Sequence, residues 1–302
     1  MNIKNKGIMF TMVATIIFGI TPIIGKLTYV MGNNGIQLAF LRHFFVLPLF
    51  FIVLIYKKIS LKVSRKQFVD ILKVGLIGNA LTVILLYSSY SYISVGSATV
   101  LHFLYPIFVC ILNFVVYKQS LNKRQLGCLI LAILGIICFI EPSASSMLGF
   151  FLALISGVTF AYYMVGMDHS SIKEIDISLF NFYLVLMNSL VMGALAYFTN
   201  QLSVLPMIGY FYCLLVAVFT SFIGVVLLQK GIQLLGSSQA AILSTLEPIT
   251  SIIVGIIFLN ESLTVMKFLG CMLIFVSTVI LIKSQSHETV ENREGVLYEE
   301  CQ

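Results

Sequence analysis

The sequence has very few charged residues for its length. Of its 302 residues only 10% are charged, whereas 59% are hydrophobic, and a soluble domain usually carries about a quarter charged residues. The 18 basic and 12 acidic side chains are too few to cover the surface of a soluble protein of this size. This scarcity excludes a soluble enzyme, a nucleic-acid-binding protein and a disordered chain, and it indicates a polytopic membrane protein.

The sequence also lacks the usual motifs of catalysis, metal binding and nucleotide binding. Its six cysteines form no C-x-x-C pair. His287-Glu288 is not followed by the second histidine of a zinc-binding helix, and Gly19 to Lys26 misses the spacing of a phosphate-binding loop. We therefore expect no metal and no cofactor, an enzyme is disfavoured, and ATP-driven pumping would need another subunit.

Ten apolar segments follow one another with short connections, and each is close to the roughly 20 residues that a membrane-spanning helix needs. These segments are residues 7–30, 36–56, 68–90, 95–117, 125–141, 148–167, 177–199, 207–229, 238–259 and 265–282. No cleavage site for a signal peptide is visible after the first segment, so we expect that helix to remain. The predicted fold is an all-α integral membrane bundle of ten transmembrane helices.

Basic residues concentrate on one side of this predicted bundle. With the N-terminus placed in the cytoplasm, 14 Lys and Arg residues fall in the cytoplasmic parts of the chain. None falls in the opposite loops at 31–35, 91–94, 142–147, 200–206 and 260–264. Because positive charge marks the cytoplasmic side, we predict a plasma-membrane protein with both termini in the cytoplasm. Residues 283–302 hold five glutamates and are predicted to be a disordered acidic tail.

The first half of the chain resembles the second half at a constant offset. Gly7 aligns with Gly149, and Leu104-Tyr-Pro106 aligns with Leu246-Glu-Pro248 in the same register. Each half then has five helices, and because five is an odd number the halves must enter the membrane in opposite orientations. Inverted repeats are typical of secondary transporters, which bind their substrate near the midplane between the halves.

The second half contains Leu246-Glu-Pro-Ile-Thr250 followed by Leu259-Asn-Glu-Ser-Leu263. This pattern resembles the second-repeat signature of EamA-type proteins in the drug/metabolite transporter superfamily, and Ser97-Ala98 with Leu104-Tyr-Pro106 is similar to the first-repeat counterpart. The resemblance implies one five-helix repeat over 1–141 and another over 148–282. It also implies transport of small metabolites through a central cavity lined mainly by helices 1, 3, 4, 6, 8 and 9.

Polar residues at membrane depth are costly and usually functional. Glu247 is the tenth residue of its predicted helix, and helical spacing places Ser244 and Ser251 on its side. We expect Glu247 to contact substrate and, with His102, to carry a coupling proton. The alternatives that stay open are a neutral Glu247 bonded to a neighbouring helix and a His102 that only packs.

His102 and Tyr105 occupy the positions equivalent to Ser244 and Glu247. The other expected substrate-binding residues are Asn79, Thr82, Thr159, Tyr163 and Phe18. EamA-type proteins often have a tryptophan at the place where this sequence has Phe18. This difference weakens the case for a stacking role of Phe18. Each of these side chains could instead serve helix contacts, which is the default for such residues in membranes.

Three further polar residues, Lys26, Arg42 and His43, lie toward the outer ends of predicted helices 1 and 2. We expect them to extend to the lipid headgroups; the lesser alternative makes Lys26 a charge of the outer gate or a partner for a carboxylate. Taken together, the sequence predicts a secondary active exporter of small metabolites such as amino acids or amines, working by alternating access and coupled to protons.

The alternatives are an uncoupled facilitator or exchanger, a passive channel and an integral-membrane enzyme, of which the last two are minor. The expected partners are a small-molecule metabolite, the lipid bilayer and protons, with no nucleic acid. Association into a homodimer is left open.

Overall fold

The computed structural model describes residues 2–93, 95–119, 121–138, 147–259, 264–266 and 268–281. These residues form ten long helices and no β-strand: α1 (Ile3–Val30), α2 (Gly35–Tyr56), α3 (Arg65–Ser89), α4 (Val95–Tyr117), α5 (Lys123–Ile137), α6 (Met147–His169), α7 (Ile177–Phe198), α8 (Met207–Leu235), α9 (Ser237–Leu259) and α10 (Phe268–Leu281). All but α5 and α10 are long and apolar enough to cross a membrane. The predicted all-α membrane bundle is confirmed, whereas the predicted acidic tail lies outside the described residues.

Polar residues in the connections determine where several helices begin. Asn34 caps α2 by accepting a backbone N–H bond of 2.9 Å. Ser64 and Gln67 form a reciprocal capping box at the start of α3, and Asn122 and Gln125 form another before α5. These bonds satisfy N–H groups that a helix start leaves unpaired.

The helices α4 and α9 are interrupted at equivalent places. Their paired segments are Val95–His102 with Tyr105–Tyr117, and Ser237–Ser244 with Glu247–Leu259. Every boundary in α9 follows its counterpart in α4 at the offset that also separates Gly149 from Gly7. Pro106 and Pro248 follow the two breaks, because proline donates no N–H bond and its ring clashes with the carbonyl of the preceding turn.

A second irregularity also occurs once in each half. The middle of α3 contains a π-helical segment at Val74–Ala80, and α8 contains one at Ala217–Gly224. Both halves therefore share two departures from regular helix in the same order along the chain. The predicted pair of inverted five-helix repeats is confirmed.

The two halves pack against each other through matching helix pairs. Helix α2 lies along α7, α1 lies along α8 and α9, and α6 lies along α3 and α4. The hydroxyl oxygens of Thr21 and Thr220 are 2.6 Å apart between α1 and α8, and those of Thr82 and Thr159 are 2.6 Å apart between α3 and α6. Interhelical hydrogen bonds of this kind are a usual means of helix association in lipid.

The two ends of the bundle differ in charge. The end that contains the α2–α3, α4–α5 and α6–α7 connections, at 57–64, 118–122 and 170–176, includes several lysines and is called the basic end below. There the Asp70 carboxylate accepts bonds from the Ser171 hydroxyl (2.5 Å) and N–H (3.1 Å). The connections at 31–34 and 199–206 lie at the opposite end and contain no Lys or Arg.

Candidate functional site

A cavity of about 290 Å³ lies between the two halves. Its wall is formed by α1 to α4 and by α6 to α9, so α2 and α7 contribute in addition to the six helices that the resemblance implies. Small-molecule pockets usually measure roughly 300–1,000 Å³. The cavity is therefore suited to a small metabolite.

The cavity extends from the opposite end of the bundle past its middle, because residues of the first turns of α7, which begins at the basic end, also line it. Tyr29, Leu38 and Tyr90 line it close to the ends of α1, α2 and α3. Glu247 and Tyr105 line its central part, which is called the floor below, at the level where α9 and α4 are interrupted. The floor is thus built from equivalent positions of the two halves, and it lies near the middle of the membrane-spanning helices.

Glu247 is the first residue of the second α9 segment, directly before Pro248. Its carboxylate lines the cavity and forms no hydrogen bond or ion pair within the part of the chain that the structure describes. A charged group at this depth is costly unless a ligand, a proton or water compensates it. The carboxylate is therefore free to bind a cationic group or a proton.

His102 forms the wall of the cavity near this floor. Its Nδ1 lies 3.0 Å from the Ser156 hydroxyl, which itself donates to the Ala153 carbonyl at 2.5 Å. Because that hydroxyl has only one hydrogen, Nδ1 of His102 is the donor and Nε2 is left as an acceptor. The His102 ring centroid is 5.4 Å from that of Phe160 and 5.8 Å from that of Tyr105.

Asn79, Thr82 and Phe18 also line the cavity. Asn79 lies in the π-helical segment of α3, and its Oδ1 is buried without a hydrogen-bond partner among the described residues. An unpaired acceptor of this kind is rare in folded proteins. It offers a bond to a ligand that carries a donor.

The remaining four expected residues do not line the cavity but make helix contacts. Ser244 donates to the Ala240 carbonyl, and Ser251 donates to the Gly19 carbonyl on α1 at 2.9 Å. Thr159 pairs with Thr82, and the Tyr163 hydroxyl accepts a bond from Gln229 Nε2 at 2.7 Å. For Ser244 the reason is the interruption of α9, because regular helical spacing to Glu247 does not hold across the break.

Arg42 and His43 are placed differently from the sequence expectation. Both line the cavity, and His43 is buried, with its Nδ1 2.6 Å from the Ala39 carbonyl. The expected extension to the headgroups is therefore wrong for these two residues. Their depth in the helix could have indicated this position from the sequence, because polar side chains inside a spanning helix usually face the interior of the bundle.

Three side chains close the cavity toward the basic end. Asn181 and Gln229 form two amide–amide bonds of 2.5 and 2.9 Å between α7 and α8, and Gln229 also donates to Tyr163 on α6. Both amide side chains are fully buried. We call these three residues the basic-end seal.

Contacts beyond the seal hold the same end closed. On α4, Asn113 donates to the hydroxyls of Ser237 and Ser238 at 2.8 and 2.7 Å. The Asp168 carboxylate accepts bonds from the N–H and hydroxyl of Ser237, and it lies 3.4 Å from Lys173 Nζ. Asn113 thereby ties the N-terminus of α9 to the first half of the bundle, Asp168 ties it to α6 of its own half, and the structure is closed at the basic end.

Comparison with known proteins agrees with this architecture. Residues 5–140 and 147–283 match the EamA-like transporter family. An uncharacterized transporter of Archaeoglobus fulgidus is 24% identical over 83% of this chain and 90% of its own. Human solute carrier family 35 member G1 is 24% identical over 90% of this chain and 78% of its own.

A solved crystal structure shares the fold. It aligns with a TM-score of 0.78 and 12% identity, covering 91% of this chain and 96% of the other. The two matches to this family together cover most of the chain, and each half of the chain gives one of them. The chain is a multi-pass membrane transporter and belongs to the EamA-like transporter family.

Proposed function

We propose that this transporter moves small polar metabolites that carry an amino group, such as amino acids or amines, by alternating access. One observation carries the proposal: equivalent positions of the two halves are arranged differently. Asn181, Gln229 and Tyr163 seal the basic end, whereas Tyr87 and Thr21, the first-repeat counterparts of the last two, line the open cavity. An exchange of these arrangements would open the basic end and close the opposite end.

The chemistry of the floor supports an amino group on the substrate. Glu247 carries the one negative charge among the described residues of the cavity wall. Tyr105, Phe160 and Phe18 add aromatic surface around it, which suits a molecule that is small and partly apolar. A carboxylate in such surroundings favours an ammonium group, which supplies the missing charge and three hydrogen-bond donors.

Proton coupling is part of the proposal, with Glu247 and His102 as the carriers. Both side chains line the same cavity, and His102 Nε2 is available to accept a proton. The other polar groups that face this space include Tyr105, His43 and Arg42. A proton and a cationic substrate that compete for Glu247 would be moved in opposite directions; uncoupled exchange is the alternative.

The proposed setting is the plasma membrane, with the basic end in the cytoplasm. Its support is the distribution of Lys and Arg, since positive loops remain on the cytoplasmic side. In that orientation the structure is open to the outside, and export is the expected direction. An inward proton gradient should then drive the substrate out of the cell.

Counterflow in proteoliposomes tests the proposed function. Vesicles that contain the purified protein are loaded with one unlabelled amino acid or amine, and uptake of the labelled compound is measured against empty liposomes. We expect saturable uptake that an internal substrate stimulates, as alternating access requires. Flux without saturation or stimulation would indicate a channel, and no uptake of any compound by folded protein would overturn the proposal.

A further inference from the structure

Arg42 is a positive charge at membrane depth without a negative partner among the residues that the structure describes. It is the eighth residue of α2, it lines the cavity, and its Nε is buried without a hydrogen-bond partner. Within the described chain it forms no ion pair. A guanidinium group removed from water is costly unless a partner of opposite charge is present. The described part of the chain does not supply that partner.

The wall around Arg42 is suited to an anion. Tyr29, Tyr87 and Tyr90 line the same part of the cavity and bring hydroxyl groups but no carboxylate. Hydroxyl groups donate hydrogen bonds to an anion, and the planar guanidinium group binds carboxylates through two parallel N–H bonds. His43 beside it is already bonded to the Ala39 carbonyl.

The two charges of the cavity wall lie at different depths. With a rise of about 1.5 Å per residue, Arg42 is roughly 10 Å and Glu247 roughly 18 Å below the helix ends at the opposite end. A difference of roughly 8 Å along the helices suits a small molecule with a charge at each end. The unpaired Asn79 Oδ1 offers a further acceptor for its cationic part.

We infer that Arg42 binds the anionic group of the substrate and that the transported molecule is a zwitterion whose cationic group faces Glu247. The inference rests on the proposed function and narrows it. The proposed function accepts amino acids and simple amines alike, whereas an anionic-group site at Arg42 selects amino acids against amines. Arg42 is thus a specificity-determining residue of the cavity.

Binding to purified full-length protein tests the inference, with calorimetry and thermal shift as readouts. The probes are the standard amino acids of proteins, because a cavity of this size admits small molecules of their size range. For the tightest one, three matched compounds follow: its methyl ester, its decarboxylated amine and its deaminated acid. We expect each matched compound to bind at least about 10-fold more weakly, because each lacks one charge-assisted interaction.

Variants of Arg42 locate the effect. In Arg42→Gln the affinity for the amino acid should fall about 10- to 100-fold, as the loss of a charged hydrogen bond predicts, while the affinity for the methyl ester stays unchanged. Arg42→Lys should retain part of the preference. Arg65→Gln, which removes the same charge from an exposed position at the start of α3, should bind like the original protein.

Several results would overturn the inference. In the first, the original protein binds the amino acid and its ester or amine with equal affinity. In the second, Arg42→Gln lowers the affinity for the amino acid and for its ester equally. In the third, the protein binds none of the amino acids. If Arg42→Gln does not fold, the ester-to-acid ratio in Arg42→Lys decides. If proteoliposomes exchange simple amines and Arg42 makes no difference to the preference for a carboxylate, this inference is refuted and the proposed function stands. If binding depends on the carboxylate but no counterflow occurs, the proposed function is refuted and this inference stands.

Discussion

Replacing Gln229 with leucine should release the basic end of the bundle. The Gln229 side chain accepts a bond from Asn181 Nδ2 (2.5 Å) and donates to Asn181 Oδ1 (2.9 Å) and to the Tyr163 hydroxyl (2.7 Å). These bonds connect α8 with α7 and α6. Leucine has a similar size and forms none of them, so the substitution removes the seal while it preserves the packing volume.

The expected effect follows from these three bonds. Hydrogen bonds between side chains of membrane helices contribute about 0.6 kcal/mol each. The loss of three such bonds destabilises the closed basic end by about 2 kcal/mol, which corresponds to a shift of about 20- to 30-fold in the equilibrium between closed and open forms.

Cysteine labelling measures this shift. Ile232 lies three residues after Gln229 on α8, toward the basic end, and is fully buried. A cysteine at Ile232, in a background without the native cysteines, is treated with a membrane-impermeant maleimide from the basic side. Because the thiol reacts only while the basic end is open, its labelling rate should rise about 20- to 30-fold in Gln229→Leu.

Asn188→Leu is the matched control for this experiment. Asn188 is a fully buried amide on α7 like Asn181, but its Nδ2 donates to Leu184 of its own helix and its Oδ1 has no partner. Its replacement should leave the labelling rate unchanged. Equal rates in Gln229→Leu and Asn188→Leu would refute the assignment of the seal.

Two further predictions concern coupling and packing. Glu247→Gln should abolish proton-driven uptake, because the amide keeps the shape of the carboxyl group and cannot carry its proton. Counterflow should persist but need a substrate concentration about 10-fold higher, because the amide also lacks the charge that faces the cationic group. An unchanged dependence of uptake on a pH gradient would contradict proton transfer at Glu247. Gly231→Ala should lower the free energy of unfolding by about 1–3 kcal/mol through overpacking, and with it the midpoint of thermal denaturation, because a Cβ there would lie 2.1 Å from Thr11 Oγ1. Gly127→Ala, where no atom lies within 4 Å of the added Cβ, is its control, and equal midpoints in thermal denaturation would speak against a close α1–α8 contact.

The repeat could be recognised from the sequence because both halves need the same irregularities. Pro106 and Pro248 occupy equivalent positions of the two repeats, and the structure interrupts α4 and α9 directly before them. A proline interrupts a helix through its own covalent geometry. For this reason the positions of the breaks depend little on the tertiary structure.

The lining of the cavity could be predicted only in part. Glu247, His102, Tyr105 and Asn79 lie at the depth expected from the sequence and face the cavity. Ser251 lies at a comparable depth but contacts α1 instead. Depth follows from counting along a helix, whereas the direction of a side chain also depends on the breaks and π-helical segments that rotate one part of a helix against the next.

The sequence by itself determined the membrane class, the number of helices and the duplication, because hydrophobic length, charge and proline act locally. Only the tertiary structure decided that Arg42 faces the cavity and that Asn181, Gln229 and Tyr163 close its basic end. These three residues are far apart in the chain and belong to three helices. Their bonds exist only because packing brings α6, α7 and α8 together, and no local sequence pattern predicts which helices will be neighbours.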